Sequence, residues 1–242
     1  MRYHLFYWPT IQGRGEFVRL ALEAAGAGYV DVARGSPEQG LGLPALLRRL
    51  QDEGQLRPPF APPILQHGKR VIAQTPAILL YLGPRLGLVG KSEADRLWAH
   101  QIQLTVADML TEVHDTHHPV GSGLYYHEQR AEALRRAREF RALRLPKFLA
   151  WFEAVLARNP RGATHLVGAR LSYVDLSLFQ MVEGLGYAFP KTLRLALRRA
   201  PRVTALHARV ALHPPTAAYL SSPRRIGFNE DGIFRRYPEL DG

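Results

Sequence analysis

The chain has 242 residues, 46% hydrophobic and 22% charged, a globular composition that excludes intrinsic disorder as the main state. It has no cysteine, which excludes disulfides, cysteine-held zinc, iron–sulfur clusters and catalysis by a protein thiol. The net charge of +11 favours anionic partners by long-range steering, but the excess is spread over both halves and does not mark a nucleic-acid-binding tail. In chain order, Tyr3–Trp8 is rich in aromatic strand formers and is closed by Pro9. Gly13 to Gly15 opens a helix whose apolar residues Phe17, Leu20, Ala21 and Ala24 recur at helical spacing, up to Gly26. Tyr29–Val32 reads as a second strand. A Gly/Pro-rich stretch over 36–60 holds a helix at Pro44–Leu50. Pro63–Leu65 and Val71–Ala73 flank Gln-His-Gly-Lys-Arg as a hairpin. A helix over Thr75–Leu82 is expected to stop at Gly83-Pro84. The order is β-α-β-α-β-β-α, with the first two strands parallel and the hairpin antiparallel.

Beyond residue 91 the texture changes. Ser92 and Asp95 have the spacing of a helix cap. Long periodic segments follow at 92–118, 128–157, 173–186 and 191–211, with no strand among them. Pro214–Gly242 is rich in turn residues. The expected fold is an α/β N-terminal domain over 1–84 and an all-α domain with a C-terminal tail over 91–242. The longest apolar run, Ala77 to Leu82, is far short of the ~20 residues of a membrane span. Met1–Trp8 is too short for a signal peptide. The expected partners are therefore neither membrane nor nucleic acid, and a cytoplasmic location is expected.

The sharpest local signal is Phe60-Ala61-Pro62-Pro63-Ile64-Leu65, followed by Gln74-Thr75. Proline gives no N–H to a ladder, so it belongs at a strand's start or edge, and an X-Pro bond is cis at small cost. A cis bond here turns the Pro62 carbonyl outward, toward a ligand's N–H. Gln74-Thr75 opens a helix, whose free N–H groups and dipole suit a carboxylate. Taken alone, these residues make a rigid turn and a helix cap. Tyr7 at the strand tip is either a hydrogen-bond donor to an anion or an aromatic core residue.

In their order and spacing, these pieces resemble the cytosolic glutathione transferases over nearly the whole chain. The resemblance rests on Tyr7 with Gly13-Arg14 and Glu16, on Pro62-Pro63-Ile64-Leu65, on Gln74-Thr75 before Ala77–Leu82, and on Ser172-Tyr173-Val174-Asp175. It implies a thioredoxin-like N-terminal domain, an all-helical C-terminal domain and a homodimer. It implies glutathione as co-substrate, with no cofactor and no metal. By position, Tyr7 is the catalytic hydroxyl of the tyrosine-type classes and Arg14 the basic residue that tunes its field. Pro63 is the cis-proline, and Pro62 pairs its backbone with the cysteinyl part of glutathione. Gln74 and Thr75 hold the γ-glutamyl end. Asp108 reaches the partner subunit's γ-glutamyl amine, or is a solvated helix carboxylate. The glycyl carboxylate falls to a cation of segment 36–60, Arg48 or Arg49, with Arg49 the candidate carried forward. Trp8, Tyr125 and Phe228 are the candidates to line the pocket of an apolar electrophile.

Three departures stand out. The Tyr7–Gly13 turn is one residue longer than the family's usual pattern, Ala61 replaces a common Gln or Asn, and segment 36–60 is longer. With no cysteine in the chain and no serine near the turn, Tyr7 remains as the thiol activator. A free thiol has a pKa of ~8.5, so a hydroxyl donor that lowers it raises the fraction of nucleophilic thiolate. The expected activity is conjugation of that thiolate to an electrophile. The alternatives are glutathione-dependent isomerisation and a non-catalytic binding or structural role.

Three other constellations carry open readings. Glu112, His114, Asp115, His117 and His118 are either a polar cluster or a metal site, without HExxH spacing. Arg135, Arg138, Arg141 and Arg144 form a basic helical stripe, either a solvated face or a phosphate-binding one. Arg224–Asn229 with Ile233-Phe234 either caps the cleft or covers the second domain's core.

Overall fold

The computed structural model describes residues 2–242. Four strands, β1 (Tyr3–Phe6), β2 (Tyr29–Asp31), β3 (Ile64–His67) and β4 (Arg70–Ala73), form one mixed sheet in the order β2-β1-β3-β4. β1 pairs parallel to β2 and antiparallel to β3, which pairs antiparallel to β4. The expected element order and strand directions are those observed. Leu5 stands opposite Leu65, and Phe6 opposite Ile64. Since side chains alternate across a strand, Leu5 and Leu65 face one way and Phe6 and Ile64 the other.

The first pair packs under α1 (Gly15–Ala24) and α3 (Thr75–Arg85), against Val18, Leu22, Ile78 and Leu82. The second packs under α2 (Gly42–Leu50), against Val32, Ala33 and Leu46. The opposite face of α1, with Phe17, Leu20, Ala21 and Ala24, joins the core of the helical region. Helix α1 is therefore buried on both sides, which explains why its apolar positions exceed a single stripe.

The C-terminal region is helical: α4 (Glu93–Asp115), α5 (Arg130–Glu139), α6 (Leu145–Arg158), α7 (Tyr173–Ala188), α8 (Pro190–Leu197), α9 (Pro201–Leu212), α10 (Pro214–Leu220) and the short α11 (Pro238–Asp241). Ser92 caps α4, its hydroxyl accepting from the Asp95 N–H at 3.0 Å. The central α7 opens on a reciprocal capping box. The Ser172 N–H donates to Asp175 at 2.8 Å, the Asp175 N–H donates to Ser172 Oγ, and the other Asp175 oxygen takes the Leu166 N–H at 2.8 Å.

Three boundaries differ from the expectation, each at a proline. Helix α3 does not stop at Gly83-Pro84 but runs to Arg85. A proline in the last turn forfeits one hydrogen bond, while Leu86 N–H to Leu82 O at 2.9 Å carries the helix on. The stop is Gly87 at φ +69°, with Leu88 N–H returning to Gly83 O at 2.8 Å, the bond of a Schellman motif. The segment 128–157 contains a π-helical turn, Phe140–Arg144, between α5 and α6. It adjusts the ladder just before Pro146, which has no N–H to give. The segment 191–211 is two helices, because Pro201 takes the first position of α9. The tail, expected as turns, also contains α10 and α11.

Candidate active site

The site is built where β1 ends and α1 begins. Tyr7 follows the last residue of β1 and is only 4% exposed. Its hydroxyl lies over the turn that leads into α1, accepting the backbone N–H of Arg14 at 2.8 Å. That geometry needs glycine on both sides of Arg14. A β-carbon at Gly13 would overlap the Tyr7 hydroxyl, and one at Gly15 would overlap its ring. Gly13 also has φ +43°, which glycine adopts without a steric penalty.

Burial pushes the Tyr7 hydroxyl above its ordinary pKa. The Arg14 and Gly15 amides and the Arg14 and Arg19 guanidiniums pull the other way without cancelling it. Tyr7 is therefore a neutral phenol at physiological pH. Its oxygen is engaged as an acceptor, and its O–H hydrogen is left to donate.

Arg19 was not among the expected site residues. It is fully buried on α1, with its guanidinium 5.7 Å from the Tyr7 ring centroid. Burial opposes its charge, but Asp31 at 2.7 Å and Glu16 at 3.3 Å hold it protonated. Its sequence signal was a Glu16/Arg19 pair three apart on an otherwise apolar helix face.

Across the cleft edge, the Pro62–Pro63 bond is cis and immediately precedes β3. Gln74 precedes α3 with φ +67° and ψ 119°, a backbone conformation unusual for a residue with a β-carbon. Its side chain is exposed and takes no part in capping. Such strain persists where surrounding structure imposes it, and it marks ligand sites. Thr75 is buried, and its hydroxyl donates to the Arg14 carbonyl at 3.1 Å. One residue, Arg14, thus joins the two halves of the site: its N–H holds Tyr7 and its carbonyl holds Thr75.

The other candidates lie as follows. Arg49, near the end of α2, bonds Gln66 of β3 and stands 5.5 Å from the Phe6 ring centroid, with Asp52 at 3.9 Å. Asp108 is exposed on α4. Trp8 is 37% exposed beside Tyr7. Phe228 stacks on Tyr187 at 5.1 Å and lines a small cavity with Gln12, Gly13 and Phe234. Tyr125 stands apart from this group, 73% exposed and stacked on His127. The tail segment 222–229 lies against the Tyr7 turn through Gln12 and Thr10, so it covers the turn as well as the helical core. Glu112 is taken up by Arg144 and Arg136, and His117 and His118 bond each other. A groove of about 1020 Å³ between the residues after α3, Trp98 and Trp151 shares no residue with this site.

The sequence model for "Glutathione S-transferase, C-terminal domain" matches residues 114–223. The chain is 29% identical to a glutathione S-transferase P of Bos taurus over 226 residues, 93% of this chain and 94% of that protein. It is 27% identical to glutathione S-transferase P 1 of Xenopus laevis, over 92% and 93% of the two chains. Its fold matches that of the Onchocerca volvulus pi-class glutathione S-transferase with a TM-score of 0.68 at 22% identity, covering 91% and 92% of the two chains. It also matches prostaglandin synthase D of Nilaparvata lugens, with a TM-score of 0.69 at 19% identity over 92% and 98%. Over nearly its whole length the chain is thus similar to glutathione S-transferases, in sequence and in fold.

Proposed function

We propose that the chain is a homodimeric glutathione transferase of the tyrosine type, which conjugates the glutathione thiolate to an apolar electrophile. In this reading residues 1–84 bind glutathione and residues 91–242 supply the pocket for the second substrate. The observation that carries the reading is the Arg14 N–H to Tyr7 hydroxyl bond at 2.8 Å. It turns a buried, un-ionised phenol so that its remaining hydrogen points away from the turn.

Tyr7 donates that hydrogen to the glutathione sulfur. The thiol proton leaves to solvent, and the sulfur stays as a thiolate stabilised by the O–H and by the positive field of Arg14 and Arg19. Lowering the thiol pKa by ~2 units corresponds to about 2.7 kcal/mol. The thiolate attacks the electrophilic carbon, a C–S bond forms, and the leaving group departs with its electron pair. Pro62 pairs through its carbonyl with the cysteinyl N–H. Gln74, Thr75 and the N-terminus of α3 take the γ-glutamyl carboxylate. Arg49 serves the glycyl carboxylate. Asp108 serves the γ-glutamyl amine bound in the partner subunit. Trp8 and Phe228 are the apolar wall candidates. No helix among the described residues is long and apolar enough to cross a membrane, and the enzyme is assigned to the cytoplasm.

The test is retention on immobilised glutathione with elution by free glutathione, followed by calorimetry. The reading predicts saturable binding and turnover of an aryl halide. Absence of heat at millimolar glutathione contradicts it.

A further inference from the structure

The turn from Tyr7 to Gly13 is held from outside by the C-terminal segment 222–236. Asn229 Nδ2 donates to the Thr10 carbonyl at 2.8 Å. Gln12 Nε2 donates to the Ile226 carbonyl. Gln12 Oε1 accepts from Gln180 Nε2 of α7 at 2.7 Å, and Gln180 Oε1 accepts from Arg225 Nη2 at 3.0 Å. Arg225 Nη1 reaches Glu16 of α1, which also accepts the Tyr219 hydroxyl at 2.6 Å. Upstream, Arg224 pairs with Glu23 at 2.9 Å and fastens the base of the segment to the far end of α1.

This chain of bonds has a single polarity. A guanidinium has only donors, so Arg225 compels Gln180 to present its oxygen. Gln180 must then offer its nitrogen to Gln12, and Gln12 its own nitrogen to Ile226. Gln12, Gln180 and Glu16 are all buried. Buried amides carry a desolvation cost that an apolar filling of the same gap would avoid, and what they add is a fixed direction and position for the turn. The next residue, Gly13, lies against the Tyr7 hydroxyl, and the one after it, Arg14, donates to that hydroxyl.

Building on the tyrosine-type reading, we propose that Gln12, Gln180, Arg225 and Asn229 are positioning residues for thiol activation. The C-terminal segment completes the site by fixing the Gly13–Arg14 backbone on which Tyr7 rests. A displacement of the turn by a fraction of an ångström loosens the Arg14 N–H bond and misdirects the Tyr7 hydrogen.

The experiment compares wild type, Gln12→Ala, Asn229→Ala, Tyr7→Phe and the double variant Tyr7→Phe/Gln12→Ala. It reads kcat, the KM for glutathione and the ultraviolet titration of the bound thiol. Gln12→Ala is expected to raise the bound thiol pKa by about one unit and to lower kcat about tenfold below about pH 6, where both proteins hold the thiol mostly protonated. The KM for glutathione should stay within about twofold. Asn229→Ala, a change outside the core, should act in the same direction by about threefold, and it decides the matter if Gln12→Ala does not fold. In the Tyr7→Phe background Gln12→Ala should cost nothing more, because its effect passes through the hydroxyl. A wild-type thiol pKa in Gln12→Ala and Asn229→Ala, or an equal loss of kcat in both backgrounds, overturns the proposal. A wild-type enzyme that leaves the thiol at its solution pKa overturns the tyrosine-type reading as well, and this separates the two failures.

Discussion

The backbone N–H of Arg14 donates to the Tyr7 hydroxyl at 2.8 Å, across the tight turn that joins the first strand to the first helix. The same residue's carbonyl accepts the Thr75 hydroxyl at 3.1 Å. Arg14 therefore matters here first as backbone, and this backbone ties the proposed thiol activator to the proposed γ-glutamyl site.

Gly13→Ala tests that turn directly. The added β-carbon overlaps the Tyr7 hydroxyl, and the backbone at φ +43° disfavours alanine. The hydroxyl must move, while the core leucines on either side of the sheet are untouched. The expected result is a loss of turnover of about a hundredfold, with destabilisation of about 1–3 kcal/mol from the strained turn. Urea unfolding beside steady-state kinetics separates the two effects. An alanine variant with wild-type kcat contradicts the placement of the hydroxyl.

Asp108→Ala tests the proposed dimer. The exposed carboxylate is on α4, and its loss should weaken glutathione binding by about 1–3 kcal/mol, the worth of a charge-assisted hydrogen bond. Calorimetry and sedimentation check this together. A monomer at micromolar concentration, or unchanged affinity in the variant, contradicts a role across the interface.

His117 gives a pH dependence of stability. Its Nε2–H donates to the Ile233 carbonyl at 2.8 Å, so in the neutral ring Nδ1 accepts from His118. Burial is the main cause that lowers its pKa to about 3, with Arg235, His114 and His118 acting the same way and the Ile233 carbonyl opposing. A depressed folded-state pKa means that the unfolded chain binds the proton more readily below the ordinary histidine value of ~6.5. The contribution is thus fully present above pH ~6.5 and is lost as pH falls toward about 3. By pH 5 the loss is about 2 kcal/mol. His117→Gln keeps a donor for Ile233 but does not titrate. It should flatten the decline between pH 7 and 5 seen by urea denaturation. Parallel pH profiles for the two proteins contradict this account.

Much of the fold was legible because its signals are local. The strand formers around Leu5-Phe6, the apolar run Ile64-Leu65, the Gly68 hairpin and the Ser172/Asp175 cap each need only a few neighbouring residues. The proline boundaries were less legible. Whether Pro84 ends a helix depends on the carbonyl it leaves unpaired and on where the next left-handed glycine falls, here Gly87. In the candidate site, Tyr7, Arg14 and Thr75 were identified from the family pattern, and the structure brings them within hydrogen-bonding reach. The Arg19 contact with Tyr7 and the chain from Gln12 through Gln180 to Arg225 were not visible. Gln12 and Gln180 are 168 residues apart in sequence, and no spacing rule connects a glutamine in a turn to one in a distant helix.

The central claim is that Tyr7 lowers the pKa of the glutathione thiol by donating a hydrogen bond. The most direct measurement is the ultraviolet titration of thiolate in the binary complex, for wild type and Tyr7→Phe, beside the pH profile of kcat/KM with an aryl halide. The account predicts a wild-type thiol pKa about 2 units below the ordinary ~8.5 and a Tyr7→Phe value close to it. It predicts a loss of about a hundredfold in kcat/KM below about pH 6, and of roughly 25-fold at pH 7. That deficit should shrink as pH rises and the thiolate forms unaided. A Tyr7→Phe enzyme that keeps both the depressed thiol pKa and the wild-type rate would contradict the account.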